Sequence, residues 1–231
     1  MNNTEEFNQF LNNISKKPIK VIDHSISIDK YTQIDISENN TDLLKFDVSS
    51  SDEWEKYINY FLENKGKEVA YGGYLEKRNL YDRSDYFKNL AESEKRNIHL
   101  GVDLWCNANT KVLAALDGEV HSFNFNKNYG DYGPTIILKH IIDTKVFYTL
   151  YGHLSLSSIE NIKKGDIFSK GDIIGFLGES SVNGDYSPHL HFQIIKNLED
   201  NTGDYPGVSS LKNIDFYKKN CPNPNLLLKL S

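Results

Sequence analysis

From residue 97 onward, the sequence is divided into short apolar runs separated by turn residues. The runs are rich in β-branched and aromatic side chains, and Gly, Asp, Asn and Pro interrupt them. This pattern is typical of antiparallel β-structure. The predicted strands are 111–115, 119–125, 135–142, 146–151, 166–169, 173–177 and 189–195. The pattern therefore predicts a mainly β fold, built as a small antiparallel β-sandwich or barrel.

The N-terminal part has a different pattern and predicts an α/β extension. Residues 4–14 and 51–64 carry apolar side chains at i, i+3 and i+4 spacing, which predicts two short amphipathic helices. Ser51 is the predicted N-cap of the second helix. Residues 18–48 alternate loosely between apolar and polar side chains, so we expect short strands there.

These patterns divide the chain into an extension over 1–95, a β-rich domain over 96–205 and a tail over 206–231. The end of the extension has no sustained period and contains several tyrosines, so we expect an extended arm that lies on the β-rich domain. The tyrosines are Tyr71, Tyr74, Tyr81 and Tyr86. The tail ends in three consecutive leucines, 226–228, so we expect it to pack back on the body.

Composition excludes several function classes. The chain has 26 Lys and Arg against 32 Asp and Glu, a net charge of −6, which argues against a nucleic-acid partner held by phosphate contacts. No run approaches the roughly 20 apolar residues that a membrane-spanning helix needs, so we expect a soluble protein. The first residues show no signal-peptide features, which by itself favours a cytoplasmic location. Cys106 and Cys221 lack metal-binding or redox spacing, and we expect them to be structural or idle.

Two of the seven histidines lie in the predicted strand 189–195. His189 and His191 alternate there with apolar residues, so a strand would direct both imidazoles to one surface and the apolar side chains into the core. A His-x-His pair alone favours buried structural histidines over a metal site. The segment that contains His99 and Asp103 changes this balance in favour of the metal site.

His99 and Asp103 lie four residues apart in a segment with its own alternation of apolar and polar residues. A strand there would place His99, Gly101 and Asp103 on one face, and the glycine would leave a gap between the imidazole and the carboxylate. His99, Asp103 and one histidine of the His-x-His pair would form a three-ligand zinc site with an open fourth position, the arrangement of catalytic zinc. Spacing alone does not choose between His189 and His191.

The remaining histidine of that pair and His153 would stay uncoordinated beside the metal. Such imidazoles suit proton transfer and stabilisation of a developing negative charge. Tyr151, two residues before His153, would share its strand face, where it would either donate a hydrogen bond to an oxyanion or line the groove. His24, His121 and His140 have no partners at metal-ligand spacing and are interpreted as structural or surface residues.

Three motifs occur in a specific order: His99-x-x-x-Asp103, then Tyr151-Gly152-His153-Leu154-Ser155, then His189-Leu190-His191. In this combination the sequence resembles the M23 family of zinc metallopeptidases, of the LytM and lysostaphin type, over about residues 96–196. The resemblance implies a small antiparallel β-fold whose groove holds one Zn²⁺ ion. It further implies that His99, Asp103 and His191 are the metal ligands and that His153 and His189 are the uncoordinated catalytic pair.

The same resemblance implies a zinc-dependent endopeptidase that hydrolyses peptide bonds by metal-activated water. The expected substrates are stem peptides or cross-links of bacterial peptidoglycan, often next to glycine or a small residue, or another peptide. The alternative is a catalytically silent binding or regulatory module of the same family. The family's usual substrate lies outside the cytoplasm, so the location stays open. The extension would cover the groove, shape its specificity or bind a partner.

Overall fold

The computed structural model describes residues 3–79, 91 and 93–230. The strands are β1 (Tyr31–Gln33), β2 (Val69–Gly72), β3 (Ile98–His99), β4 (Val102–Trp105), β5 (Lys111–Leu113), β6 (Gly118–Asn126), β7 (Gly133–Ile142), β8 (Lys145–Gly152), β9 (Ile167–Phe168), β10 (Ile173–Phe176), β11 (His189–Ile195) and β12 (Val208–Ser209). The α-helices are α1 (Asn3–Ile14), α2 (Ser51–Lys65), α3 (Ser157–Glu160), α4 (Ile214–Asn220) and α5 (Asn225–Leu228). Two short 3₁₀ helices cover Ile28–Lys30 and Thr41–Lys45.

Most strands belong to one large sheet with the order β1-β2-β4-β11-β8-β7-β6-β9. The β1–β2 pair is parallel and the other pairs are antiparallel, so the sheet is mixed. Two smaller sheets pair β5 with β10 and β3 with β12. The prediction of a mainly β fold is confirmed, but the sheet ends at β1 and β9 and is not a closed barrel. Alternation tells which face of a strand is buried and not where a sheet ends, so the sequence left closure open.

The strands from β5 to β11 lie where the alternation predicts them. Their inward side chains form the main core, which includes Val120, Ile136, Leu138, Phe147 and Phe192. These side chains are almost completely removed from solvent. At about 25 cal/mol per Å² of apolar surface, their burial is the main force that holds the sheet.

The N-terminal extension is built into the same sheet and not attached beside it. β2 pairs with β4, and β1 pairs with β2, so hydrogen bonds cross the predicted boundary at residue 95. Helix α1 contributes Phe7 and Leu11 to the main core. Helix α2 packs Trp54, Ile58 and Leu62 against Trp105 of β4 in a separate cluster. The extension and the β-rich domain therefore share their hydrogen bonds and their buried surface.

Two local expectations for the extension are wrong. Within residues 18–48, which are all described, the structure has one short strand of the sheet and two 3₁₀ helices, and not a series of strands. The N-cap of α2 is Ser50, whose side chain accepts a hydrogen bond from the Glu53 amide. Ser51 instead donates its hydroxyl to Asp185 at 2.7 Å, because a tertiary partner lies within reach.

The arm and the C-terminal tail hold each other in place. Tyr71 and Tyr74 donate their hydroxyls to the carbonyls of Leu230 and Cys221. Leu227 and Leu228 of α5 are fully buried in the main core. The other two tyrosines of the predicted arm, Tyr81 and Tyr86, lie outside the described residues.

No helix in the described part of the chain is both long enough and apolar enough to cross a membrane.

The shared core predicts that the extension unfolds together with the rest of the protein. Replacing Ile58, which is 2% exposed on α2, with alanine should lower the free energy of unfolding by about 2–5 kcal/mol. Chemical denaturation followed by circular dichroism should still show one transition, shifted to lower denaturant. The matched control is Tyr60→Ala on the exposed face of the same helix, with an expected change within about 0.5 kcal/mol. An unchanged main transition in Ile58→Ala would show that α2 is not part of the cooperative unit.

Candidate metal centre and active site

Three neighbouring strands bring the candidate residues together. In the antiparallel ladders, His191 of β11 lies opposite Asp103 of β4 on one side and opposite Gly152 of β8 on the other. Leu190 and Phe192 face the main core, so His189 and His191 share the opposite face as the alternation predicts. The register of this pairing therefore places a carboxylate and an imidazole side by side.

His99 reaches the same point from a different strand. The expected continuous strand over 99–103 is wrong, because the chain bends at Gly101 between β3 and β4. His99 Nε2 nevertheless lies 3.2 Å from Asp103 Oδ1. Gly101 allows this arrangement, since a Cβ atom there would lie only 2.7 Å from the His191 ring. The glycine thus lets the His191 imidazole pack directly against the bend.

Three donor atoms converge in this cluster. His99 Nε2 and His191 Nδ1 are 2.9 Å apart, and they lie 3.2 and 3.1 Å from Asp103 Oδ1. The edge of a zinc tetrahedron with bonds of 2.0–2.1 Å is about 3.3 Å. All three side chains are at least 97% buried. The set therefore has the size, the ligand types and the seclusion of a zinc site.

The hydrogen bonds behind the cluster show why it suits a cation. His99 Nδ1 lies 3.0 Å from the Gly73 carbonyl, and His191 Nε2 lies 2.9 Å from Gln193 Oε1. The outer ring nitrogens therefore carry the N–H groups that these oxygens accept, and the inner nitrogens are left with lone pairs. Two lone pairs and a carboxylate oxygen then face one another with no proton between them. A bound cation would relieve that repulsion.

The charge states agree with this assignment. Burial, together with the charge of Arg78, lowers the pKa of His99 to about 3, so its imidazole is neutral at pH 7. Burial acts to raise the pKa of Asp103, but its electrostatic interaction with the His99 ring, the positive charge of Arg78 and hydrogen bonds outweigh burial and hold that pKa well below its ordinary value. The cluster therefore offers a neutral imidazole and an ionised carboxylate, the protonation states that metal binding requires.

Two further imidazoles lie beside the cluster. The ring centroids of His153 and His189 are 4.2 Å apart, and His189 Nε2 is 4.0 Å from Asp103 Oδ1. Each Nδ1–H donates to a backbone carbonyl, of Asn183 for His153 and of Ser187 for His189, so each Nε2 is unprotonated. Burial lowers the pKa of both rings, and the neighbouring imidazole lowers that of His153 further. Both are neutral bases.

The backbone at His153 is in the left-handed region, with φ of 62°. A non-glycine residue adopts this conformation only where its surroundings hold it. The His153 amide donates to the Tyr132 carbonyl at 2.8 Å, and its carbonyl accepts from the Gly178 amide at 2.9 Å. This turn at the end of β8 rotates the imidazole toward His189.

The same turn explains why the expectation for Tyr151 is wrong. Alternation carried past Gly152 would place Tyr151 and His153 on one face, but the positive φ of His153 breaks the alternation. Tyr151 is completely buried in the main core, and its hydroxyl accepts a hydrogen bond from the Ala115 amide at 2.9 Å. It neither lines the groove nor reaches an oxyanion.

Three residues outside the sequence motifs also contact the cluster. Arg78 donates from Nη1 to Asp103 Oδ2 at 2.7 Å. Trp105 stacks on His189, with centroids 5.6 Å apart and ring planes 22° from parallel. Tyr132 Oη lies 3.4 Å from His191 Nε2. None of them belongs to a motif, and the position of Trp105 after Asp103 on β4 was the one available signal.

The two cysteines of the chain are not part of the cluster of donor atoms. Cys221 is buried and free, and its Sγ accepts a hydrogen bond from Gln193 Nε2 at 3.3 Å. Burial raises the pKa of both Cys106 and Cys221 to about 12, so neither is a reactive thiolate.

The cluster opens into a cavity of about 450 Å³. All five candidate residues line it, together with aromatic side chains from the β-rich domain such as Tyr132 and Tyr186. The extension supplies part of the wall through Ile36, Trp54 and Arg78. The cavity is therefore a joint product of the extension and the β-rich domain.

Part of the chain is similar to known peptidases. Residues 97–202 match the sequence profile of peptidase family M23. This part of the chain is an M23 peptidase domain. Over 109 residues, 47% of the chain, it is 37% identical to the glycyl-glycine endopeptidase ALE-1 of Staphylococcus capitis. The match spans only 28% of that relative's length.

Solved structures of peptidases also match part of the chain. The catalytic domain of lysostaphin from Staphylococcus simulans is 30% identical, with 53% of this chain and 80% of that one covered and a TM-score of 0.36. A zinc containing peptidase from Vibrio cholerae is 25% identical, with coverages of 45% and 31% and a TM-score of 0.35.

Buried neutral histidines predict that the metal-free protein loses stability in mild acid, and His140 tests this away from the metal cluster. Burial lowers its pKa to about 4, against about 6.5 in the unfolded chain. Between pH 6.5 and 4, His140 therefore binds a proton in the unfolded state and not in the folded state. Its contribution to the free energy of unfolding is complete above pH 6.5 and is lost as the pH falls toward 4.

Replacing His140 with glutamine should make the pH dependence of unfolding shallower by at most about 1.4 kcal/mol per pH unit. Urea unfolding of metal-free protein at several pH values between 6.5 and 5 measures this slope. Ile141→Gln, at the exposed neighbouring position, is the control and should keep the original slope. Equal slopes for the parent protein and His140→Gln would contradict a neutral His140.

Proposed function

We propose that this protein is a zinc-dependent endopeptidase that hydrolyses peptide bonds in peptidoglycan stem peptides or cross-links. The observation that carries the proposal is the cluster of His99, Asp103 and His191, whose donor atoms lie 2.9–3.2 Å apart. Two neutral imidazoles lie beside it, and all five residues belong to the M23 domain and line one cavity.

In this proposal His99 Nε2, Asp103 Oδ1 and His191 Nδ1 would hold the metal. A zinc ion with these ligands would polarise the scissile carbonyl and make water a stronger nucleophile at neutral pH. The carbonyl of Gly73 and the side-chain oxygen of Gln193 orient the two imidazoles by accepting hydrogen bonds from their outer N–H groups. The ligand set is thus rigid before substrate binds.

His153 and His189 would act as general acid and base and would stabilise negative charge on the substrate. Each has an unprotonated Nε2 that can accept a proton from the attacking water. The protonated ring can then donate a hydrogen bond to the developing oxyanion or a proton to the leaving amine. Stacking on Trp105 and the hydrogen bond to Ser187 restrict the His189 ring to one orientation.

The substrate class rests on the relative and on the cavity. The relative's name describes a glycyl-glycine endopeptidase, which supports a peptide with glycine or another small residue at the cleaved bond. The extension lines part of the cavity with Ile36 and Trp54. Of the three roles open to the extension, this contact supports a role in shaping specificity.

Incubation with substrate should produce new peptide termini. Zinc-loaded protein is mixed with purified peptidoglycan fragments and with glycine-containing stem-peptide mimics, and mass spectrometry identifies the products. We expect cleavage by the parent protein and none above background by His153→Ala. Stoichiometric zinc without cleavage of any of these substrates would contradict peptidoglycan hydrolysis and favour a binding module or another peptide.

Metal content and turnover should separate the two groups of histidines. His191→Ala removes a proposed ligand, so it should lose both zinc, measured by elemental analysis, and hydrolysis. His153→Ala should keep one zinc per chain and lose turnover by about 10²-fold or more, because it removes a proton-transfer group. Activity that survives in either variant would refute the assigned roles.

A further inference from the structure

A segment of the extension, residues 73–78, forms a clasp over the metal cluster. The Leu75 amide donates to the His99 carbonyl at 2.8 Å, and the His99 amide donates to the Glu76 carbonyl at 3.0 Å. The Gly73 carbonyl accepts the His99 ring N–H. The clasp therefore holds His99 at its backbone and at its ring.

Arg78 extends this clasp to Asp103. Its side chain is 2% exposed and lies between two carboxylates. Nε donates to Glu76 Oε2 and Nη1 donates to Asp103 Oδ2, both at 2.7 Å. The other oxygen of Glu76 accepts the Ile36 amide at 3.2 Å. Glu76 of the extension thus holds the Nε side of the guanidinium, and the Nη1 side points at Asp103.

This contact distinguishes the two oxygens of Asp103. Oδ2 is engaged by Arg78, while Oδ1 lies 3.1–3.2 Å from the inner nitrogens of the two histidines. Charge-assisted hydrogen bonds from arginine are strong and directional. A carboxylate held in this way presents one oxygen to a metal and keeps the other away from it.

We propose that Arg78, held by Glu76, is a positioning residue that fixes Asp103 as a one-oxygen ligand of the metal. The inference rests on the proposed zinc site and assigns the extension a direct part in building it. Arg78 contacts Asp103 at Oδ2, and in this inference it acts on the metal through that carboxylate. The competing role for a pocket-lining arginine is to bind a substrate carboxylate, and the test separates the two.

The experiment compares Arg78→Gln and Arg78→Lys with the parent protein in the full-length chain. Zinc affinity is measured by competition with a chromophoric chelator, and Co²⁺ substituted for zinc reports coordination geometry through its visible absorption. Lys77→Gln is the matched control, because Lys77 is the neighbour of Arg78 in sequence and its Nζ forms an ion pair with Glu38 at 3.1 Å.

We expect Arg78→Gln to weaken zinc binding by about 10- to 100-fold, the effect typical of losing a group that orients a ligand. Its cobalt spectrum should change, and with zinc saturating the loss of hydrolysis should be in kcat more than in KM. Arg78→Lys should recover part of the affinity, because lysine keeps the charge but lacks the planar fork. Lys77→Gln should match the parent protein in both metal readouts.

The outcomes that overturn the inference are distinct. Folded Arg78→Gln and Arg78→Lys with the parent's zinc affinity and cobalt spectrum would exclude a positioning role, and a raised KM alone would identify a substrate anchor. If Arg78→Gln fails to fold, Glu76→Gln and Arg78→Lys decide the question by the same two readouts. A parent protein that binds no zinc would overturn the proposed function itself, whereas a zinc-binding, active parent with unaffected variants would overturn only the role of Arg78.

Discussion

The pairing of β4 with β11 is the constraint on which the rest of the site depends. In this register His191 lies opposite Asp103, and the apolar residues between the polar ones face the main core. A slip by one residue would send the imidazoles into the core and the leucines into the cavity, because side chains alternate with a period of two. Burial of Leu190 and Phe192 therefore stabilises the sheet and at the same time sets the position of the donor atoms.

Around that pair, the buried polar groups form a hydrogen-bonded network whose outer partners come from several parts of the chain. Gly73 and Arg78 belong to the extension, Gln193 to β11, and Asn183 to the loop before it. Buried charges and polar groups are tolerated only when such partners exist. The extension is consequently part of the site, and its strands β1 and β2 belong to the same sheet as β4 and β11.

Periodicity predicted the strands of the M23 domain and the two longer helices well, because in these segments burial of one face dominates the local free energy. Periodicity failed where contacts with residues distant in sequence set the backbone conformation or the direction of a side chain. The bend at Gly101, the positive φ of His153 and the buried hydroxyl of Tyr151 each depend on atoms distant in sequence. The role of Arg78 was not predicted for the same reason, since its partner Asp103 is 25 residues away in sequence.

The sequence by itself determined the mainly β character, the residue types of the candidate site and the shared face of His189 and His191, since alternation and chemical identity are local properties. Only the tertiary structure decided that the sheet stays open, which nitrogen of each imidazole faces the cluster, and that the extension supplies Arg78 and part of the cavity wall. These features follow from strand register, hydrogen-bond partners and packing between remote segments, which no local pattern encodes.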